Sequence, residues 1–293
     1  MLVLGVTGDV GAGKSTVAGL WKNHGASIID ADCIIHEIWK EPRVLKRVEE
    51  RWGSCVFYHN GSINPSEIAS RIFADPKEYE WLCSILHPMV RKEMERRMFA
   101  LRGWIVAEIP LLFENSVPWW VDYTVYVTAS TSTRLSRNVS RGWNEEEIER
   151  RERFLMNTEE KQAMADLVIQ NEGSLESLGE SLLRYAVAFK KMAALCVIQA
   201  YSSDEKSLRR AAVRLGASGW ASRVEVQPLV NALMQNGRLS MGKRYLLRAY
   251  SCEFYWRFVE ELLKNEGVNE VELLHVPRLS AALRNDLVEE MNG

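Results

Sequence analysis

Gly8, Asp9, Val10, Gly11, Ala12, Gly13, Lys14 and Ser15 follow the pattern G-x-x-x-x-G-K-[ST], close to the start of a 293-residue chain. A loop of this spacing wraps an anion so that successive backbone N–H groups point inward. Glycines at 11 and 13 let the chain approach closely, and a following helix presents its positive end to the anion. Lys14 then reaches the outer phosphates of a nucleoside triphosphate, and the Ser15 hydroxyl ligates Mg²⁺. An apolar run, Leu2 to Val6, precedes the loop and a helical pattern follows it, which is the context the motif needs. The pattern speaks strongly for a nucleotide site and weakly for the reaction.

Two carboxylates come next, in "SIIDADCIIHEIW", residues 27 to 39. Asp30 and Asp32 end an apolar run, at the strand end that lies beside the phosphate loop in a doubly wound sheet. A carboxylate there accepts a proton from an attacking hydroxyl or binds Mg²⁺ through water. Asp before a helix is also a common N-cap, so one of the pair is expected to cap and the other to do chemistry; spacing does not say which. Further on, Arg134, Arg137 and Arg141 recur at helical spacing. On a mobile segment they would close over the nucleotide and neutralise charge. Arg150, Arg151 and Arg153 stand among glutamates and read more simply as a solvated, ion-paired helix. His87, before Pro88, reads alone as a packing residue. Trp119 and Trp120 are long enough to stack a base, but packing is the simpler role.

These groups must be held by alternating elements. Strand-like runs at 2–6, 26–30, 104–109, 123–128 and 167–170 are separated by helical periodicity, notably over 78–102 and 131–165. Alternation of this kind predicts a parallel sheet with helices on both faces, with ligands at the carboxyl ends of the strands. The character changes near residue 193. Apolar 195–200, helix-like 204–215, alternating 221–226, apolar 245–250, helix-like 253–265 and alternating 270–275 predict β-α-β-β-α-β, the ferredoxin-like order. The expected fold class is thus α/β followed by a second α+β domain, with domains at 1–192 and 193–293. Composition agrees with an ordinary globular protein, at 47% hydrophobic and 26% charged residues. A net charge of −2 gives no general attraction to nucleic acid or anionic membrane. Five scattered cysteines predict neither a disulfide framework nor a zinc ribbon and fit a reducing cytosol, so a cytoplasmic location is expected. No basic leader and no 18-residue apolar run are present, so neither a signal peptide nor a membrane span is expected.

"GVTGDVGAGKST", "IIDADCIIHEI", "RIFADP", "ILHPMV", "IPLLFENS" and "ADLVIQNEGSLESL" occur in that order. Together they resemble the dephospho-coenzyme A kinase family over about residues 1 to 190. The resemblance implies a P-loop kinase with a core, a CoA-binding helical insert and a lid. Its reaction would move the ATP γ-phosphate to the ribose 3′-hydroxyl of dephospho-CoA, the last step of coenzyme A synthesis. Asp32 would be the general base, with Lys14, Arg137 and Arg141 completing the catalytic set. Gly8, Gly11, Ala12, Gly13, Lys14, Ser15 and Thr16 would bind ATP, with Mg²⁺ held at Ser15 through the nucleotide. Asp30, Arg71, Phe73, His87, Leu111 and Glu114 would bind dephospho-CoA. Arg151 matches a lid-helix arginine. Two positions depart from the pattern: Leu155 replaces a usual glutamine, and Asp9 a usual glycine. Asp9 would lower ATP affinity unless its side chain points to solvent.

The segment "GWASRVEVQPLVNALMQNGRLSMGKRYLLRAYS" with "EVELLHVP" resembles the divalent-cation tolerance (CutA-like) family, which is ferredoxin-like and trimeric. Arg223 replaces a usual cysteine, Gln235 an aromatic residue, and Lys243 or Arg244 an acidic one, while His275 is the domain's only histidine. A metal site would be poorly supplied there, so an oligomerisation or regulatory module is expected, and with it a homo-oligomer, a trimer by the resemblance. Two other readings stand beside the kinase: transfer to another small acceptor such as a nucleoside monophosphate, and a non-catalytic ATP-sensing regulator. A switch GTPase is disfavoured because no Asn-Lys-x-Asp guanine-reading motif occurs.

Overall fold

The computed structural model describes residues 1–139, 142–153, 155–235, 238–275 and 279–291; for 230–235, 238–243 and 275 it describes the backbone alone. The chain divides into two compact units, one of Val3–Leu183 and one of Arg184–Gly293 together with Met1–Leu2.

The first unit opens with β1 (Leu2–Gly8), the phosphate loop, α1 (Lys14–Asn23) and β2 (Ser27–Asp30). Four helices follow: α2 (Ala31–Ile38), α3 (Pro42–Trp52), α4 (Pro65–Ala74) and α5 (Pro76–Phe99). Then come β3 (Trp104–Glu108), β4 (Tyr123–Thr128), α6 (Thr131–Asn138), α7 (Glu145–Glu152), α8 (Thr158–Met164), β5 (Leu167–Gln170) and the first part of α9 (Leu175–Ala193), whose residues from 184 onward belong to the second unit. The sheet order is β2-β3-β1-β4-β5, and the pairs β2–β3, β1–β4 and β4–β5 are parallel. β1 is buried at all seven positions, so its sequence is a continuous apolar run rather than an alternating one. Helix starts follow local chemistry. Side chains of Asp30, Asn64, Asp75, Ser130, Asn144 and Asn157 accept backbone N–H bonds at the starts of α2, α4, α5, α6, α7 and α8. Among the described residues, the helical pattern over 131–165 is therefore delivered as the separate helices α6, α7 and α8. Ile34 and Ile38 of α2, Val44 and Val48 of α3, Ile85 and Met94 of α5 and Ile105 of β3 share one core. Truncating one of these to Ala would cost about 2–5 kcal/mol. That core fixes α2 and α5, which carry Asp32 and His87, against the sheet.

The second unit contains β6 (Leu195–Ser202), α10 (Glu205–Gly216), β7 (Ala221–Gln235), β8 (Arg238–Cys252), α11 (Trp256–Asn265), β9 (Glu270–His275) and α12 (Ala281–Glu290). Its sheet order is β7-β8-β6-β9 with every pair antiparallel, the split βαβ arrangement of a ferredoxin-like fold. Ile198, Leu208, Leu215, Leu247, Val259 and Leu263 make its core. Two features differ from expectation. β7 and β8 are each 15 residues long, far beyond 221–226 and 245–250, and α12 follows β9. Arg223, where a cysteine was expected, has φ 49 within an irregularity between Ser222 and Glu225, and pairs with Glu290 at 3.1 Å. Arg244 pairs with Glu270 and lies over the Tyr201 ring. The side chains of Gln235, Lys243 and His275 lie outside the described residues. Among the described residues, no helix is long and apolar enough to cross a membrane, and no group of three or more His, Cys, Asp or Glu is arranged to hold a metal ion.

Candidate active site

The phosphate loop joins β1 to α1. Gly8 lies so close to β4 that a Cβ there would stand 2.0 Å from the Val127 carbonyl oxygen. Gly13, at φ 96, caps α1 in the left-handed conformation, which a side chain strains. Each loop carbonyl from 8 to 12 is held by a side chain. Lys14 Nζ donates to Gly8 O at 3.1 Å and Asp9 O at 2.9 Å. Arg134 Nη1 donates to Val10 O at 3.1 Å, Asn138 Nδ2 to Gly11 O at 3.4 Å, and Asn171 Nδ2 to Ala12 O at 2.8 Å. Three loop N–H groups are used within the chain, Asp9 N donating to Val127 O at 3.1 Å, Val10 N to Glu152 Oε1 at 3.2 Å and Ala12 N to Asp9 O at 3.2 Å, so the N–H groups at 11 and 13–15 are the ones that can meet an anion. A cavity of about 810 Å³ opens over it, lined by Gly11, Gly13, Lys14, Ser15, Thr16 and Asp32, and also by Arg137, Trp143 and Arg151.

Asp9 does not point to solvent. It is 3% exposed. Its carboxylate accepts hydrogen bonds from Tyr126 at 2.6 Å, Thr128 at 2.5 Å and Thr158 at 2.9 Å. Three hydroxyls thus compensate its burial, and burial plus this bonding push the Tyr126 phenol far up.

The two aspartates separate their roles. Asp30 caps α2, its Oδ1 accepting from Asp32 N at 2.8 Å and Cys33 N at 3.2 Å. Asp32 stands on the first turn, in the wall of the cleft. Desolvation by the cleft raises its pKa, the neighbouring Asp30 carboxylate adds to the rise, and Lys14 opposes it. Burial in turn lowers the Lys14 pKa against the pull of Asp9, Asp32 and Glu108. Asp32 also lines a second, apolar cavity of about 230 Å³, with Ile35, His87, Leu111, Arg91 and Trp120 among its walls. A third cavity, of about 370 Å³, shares His87 and Leu111 with it and adds Tyr79, Cys83 and Glu114. His87 lies mid-helix in α5, half-buried, and burial beside Arg91 lowers its pKa, so it is neutral at pH 7. Glu114 Oε1 accepts from Met156 N at 3.3 Å and faces Lys161 Nζ at 3.4 Å, while its buried Oε2 has no hydrogen-bond partner among the described residues.

The fold therefore gathers Lys14, Ser15, Thr16, Asp32 and Arg137 on one cavity, and Asp32, His87 and Leu111 on the next, with Glu114 beyond. Phe73 and Arg71 take other positions. The Phe73 ring packs under Arg150 at 4.7 Å, and Arg71 Nη2 donates to Cys55 Sγ at 3.0 Å. Arg137 donates to Asn171 O at 2.6 Å and Gly173 O at 2.8 Å. Arg141 lies outside the described residues. Trp120 is buried in the wall of the apolar cavity and Trp119 is 62% exposed beside Phe99.

Sequence reading missed Glu108. It ends β3 beside Asp30, with which it pairs in register, and its Oε2 accepts the Ser15 hydroxyl at 2.8 Å. Burial raises its pKa. The signal was present: Trp104 to Ala107 is an apolar run ending in a carboxylate, as 27–30 is. Asn138 and Asn171 carried no comparable signal, since a polar side chain at the end of a helix, as at 138, or just after a strand, as at 171, is common.

The dephospho-CoA kinase family profile matches residues 2–177. A relative named dephospho-CoA kinase from Deinococcus radiodurans is 38% identical over 180 residues, covering 60% of this chain and 86% of its own. The crystal structure of TT1252 from Thermus thermophilus aligns with 31% identity and a TM-score of 0.55, covering 64% of this chain and 96% of its own. The divalent cation tolerance protein from Thermus thermophilus aligns over 33% of this chain and 97% of its own, with 19% identity and a TM-score of 0.29.

Proposed function

The chain belongs to the dephospho-CoA kinase family, and from that premise we propose how its residues divide the work. The reaction transfers the ATP γ-phosphate to the ribose 3′-hydroxyl of dephospho-CoA, giving coenzyme A. One observation supports the assignment of the base: Asp32 lines both the cavity over the phosphate loop and the apolar cavity beside it. A carboxylate at that junction stands between donor and acceptor, where it takes the proton of the attacking 3′-hydroxyl. Its raised pKa brings it nearer the working pH, which suits a general base. Lys14 and the loop N–H groups hold the phosphates, and the remaining barrier is met by positioning and charge neutralisation. His87, Leu111 and Glu114 line the acceptor's side, with Asp30 supporting Asp32; Arg71 and Phe73, which line neither cavity, are assigned to the acceptor by the family motif alone. Arg137 acts by holding the 171–173 backbone at the nucleotide cavity.

The Ser15 hydroxyl, with Glu108 2.8 Å away, offers hard oxygen donors suited to a Mg²⁺ that also takes phosphate oxygens. Ser15 would ligate it directly, and bound there it neutralises phosphate charge. For the second unit, 193–293 in our division, we propose a homo-oligomerisation or regulatory role with a trimer as its state. Exposed Val213, Phe254 and Phe258 support an apolar contact surface. A cytoplasmic location fits the chemistry.

Asp32→Asn tests the central assignment. Turnover should fall by about 100-fold or more, the usual scale for a general base, while ATP binding stays nearly intact. Near-normal turnover would remove Asp32 from the role.

A further inference from the structure

Residues 9 and 10 of the phosphate loop are tied to the three lid helices at once. Arg134 of α6 donates from Nη1 to Val10 O at 3.1 Å and to Glu152 Oε1 at 2.5 Å. Glu152, the last residue of α7, accepts the Val10 N–H at 3.2 Å through the same oxygen. One ion pair therefore brackets both faces of a single loop residue. Thr158, the first residue of α8, donates to Asp9 Oδ1 at 2.9 Å. Arg134 is itself buried, 8% exposed. At the other end of α7, the Trp143 ring approaches to 3.5 Å of where a Cβ on Gly11 would stand, and Arg151 lies over that ring at 4.5 Å.

We propose that Arg134, Glu152 and Thr158 are positioning residues for phosphoryl transfer, a clasp fastening the lid's root to the phosphate loop. The proposal rests on the kinase reading above. Pinned at Glu152, α7 carries Arg151 and Trp143 over the loop in a fixed register. A shift of about 1 Å in such a register costs up to 100-fold in rate. The clasp also has a charge logic. Glu152 and Asp9 set two carboxylates beside a loop that must hold a polyanion. Three hydroxyls solvate Asp9; Arg134 neutralises Glu152. Removing Arg134 alone therefore leaves the carboxylate at Val10 without its ion-pair partner among the described residues, beside the place where phosphates would bind.

The test is a cycle of Arg134→Ala, Glu152→Gln and the double variant, with Thr158→Val beside it, in the full chain. ATP affinity is measured by titration calorimetry without acceptor, so it does not depend on which acceptor is correct. ADP release is then compared with and without dephospho-CoA. Arg134→Ala should weaken ATP binding by at least about tenfold, a coupling within the range for contacting residues. The double variant should bind ATP more tightly than Arg134→Ala. Thr158→Val should raise acceptor-free ADP release relative to transfer, because a loosened lid admits water. The isosteric Glu152→Gln keeps a group able to accept from Val10 and guards against simple misfolding. A double variant that is additive or worse, or ATP affinity unchanged within about twofold throughout, overturns the clasp. Absence of transfer by the wild type, with the affinity pattern intact, instead overturns the acceptor assignment.

Discussion

Asp32 is placed where ionising it is costly, and that cost has consequences for stability as well as rate. Its pKa in the folded chain is raised above the ordinary aspartate value, first by desolvation and then by Asp30. The folded chain thus holds this proton more tightly than the unfolded chain does. Its contribution to stability is present below the unfolded pKa and is lost as pH rises through the folded one. Above its folded pKa the charged carboxylate is therefore a burden on the fold, of the kind that active sites carry. Asp32→Asn should raise the melting temperature at pH 7, with the gain vanishing once the pH falls below the ordinary aspartate range, about 4. A lower melting temperature at pH 7 would contradict the raised pKa. Turnover should fall as Asp32 protonates on the acid side. Much at this scale was legible in the sequence: glycines and a lysine at fixed spacing, and a pair of aspartates at a strand end. Which aspartate caps was not legible, because capping is decided by φ and ψ at residue 30. The fate of Asp9 was not legible either, since its partners Tyr126, Thr128 and Thr158 stand 117, 119 and 149 residues away in sequence.

Elements were read most easily where burial leaves one solution. β1, β3 and β4 are apolar runs, and a parallel sheet covered on both faces admits little else. The segment from 131 to 165 is harder, because its periodicity continues through breaks that only capping chemistry reveals. Asn144 accepts from Glu147 N and Asn157 from Glu159 N, and each Asn precedes a glutamate-rich first turn. Those caps turn one periodic stretch into the separate helices α6, α7 and α8, with Glu152 ending α7 and Thr158 starting α8. The hairpin of β7 and β8 was underestimated for a different reason. Residues 227–235 include proline, asparagine and glutamine, which weaken a strand signal, and pairing in register with β8 decides the matter.

At the scale of the whole molecule, two compact units of different architecture share one chain. The kinase resemblance ends where the ferredoxin-like pattern begins, and a fold of that kind does not by itself name an activity. Deleting residues 194–293 should change assembly state more than chemistry. A full-length chain that sediments as a monodisperse monomer would sink the oligomerisation proposal. The central claim concerns the acceptor, and an ADP-release assay with Mg·ATP tests it most directly, comparing dephospho-CoA, AMP, CMP and no acceptor. ADP should form with dephospho-CoA and stay at background with the others. Turnover with a nucleotide acceptor in its place, or equal ADP release with no acceptor at all, would contradict the account.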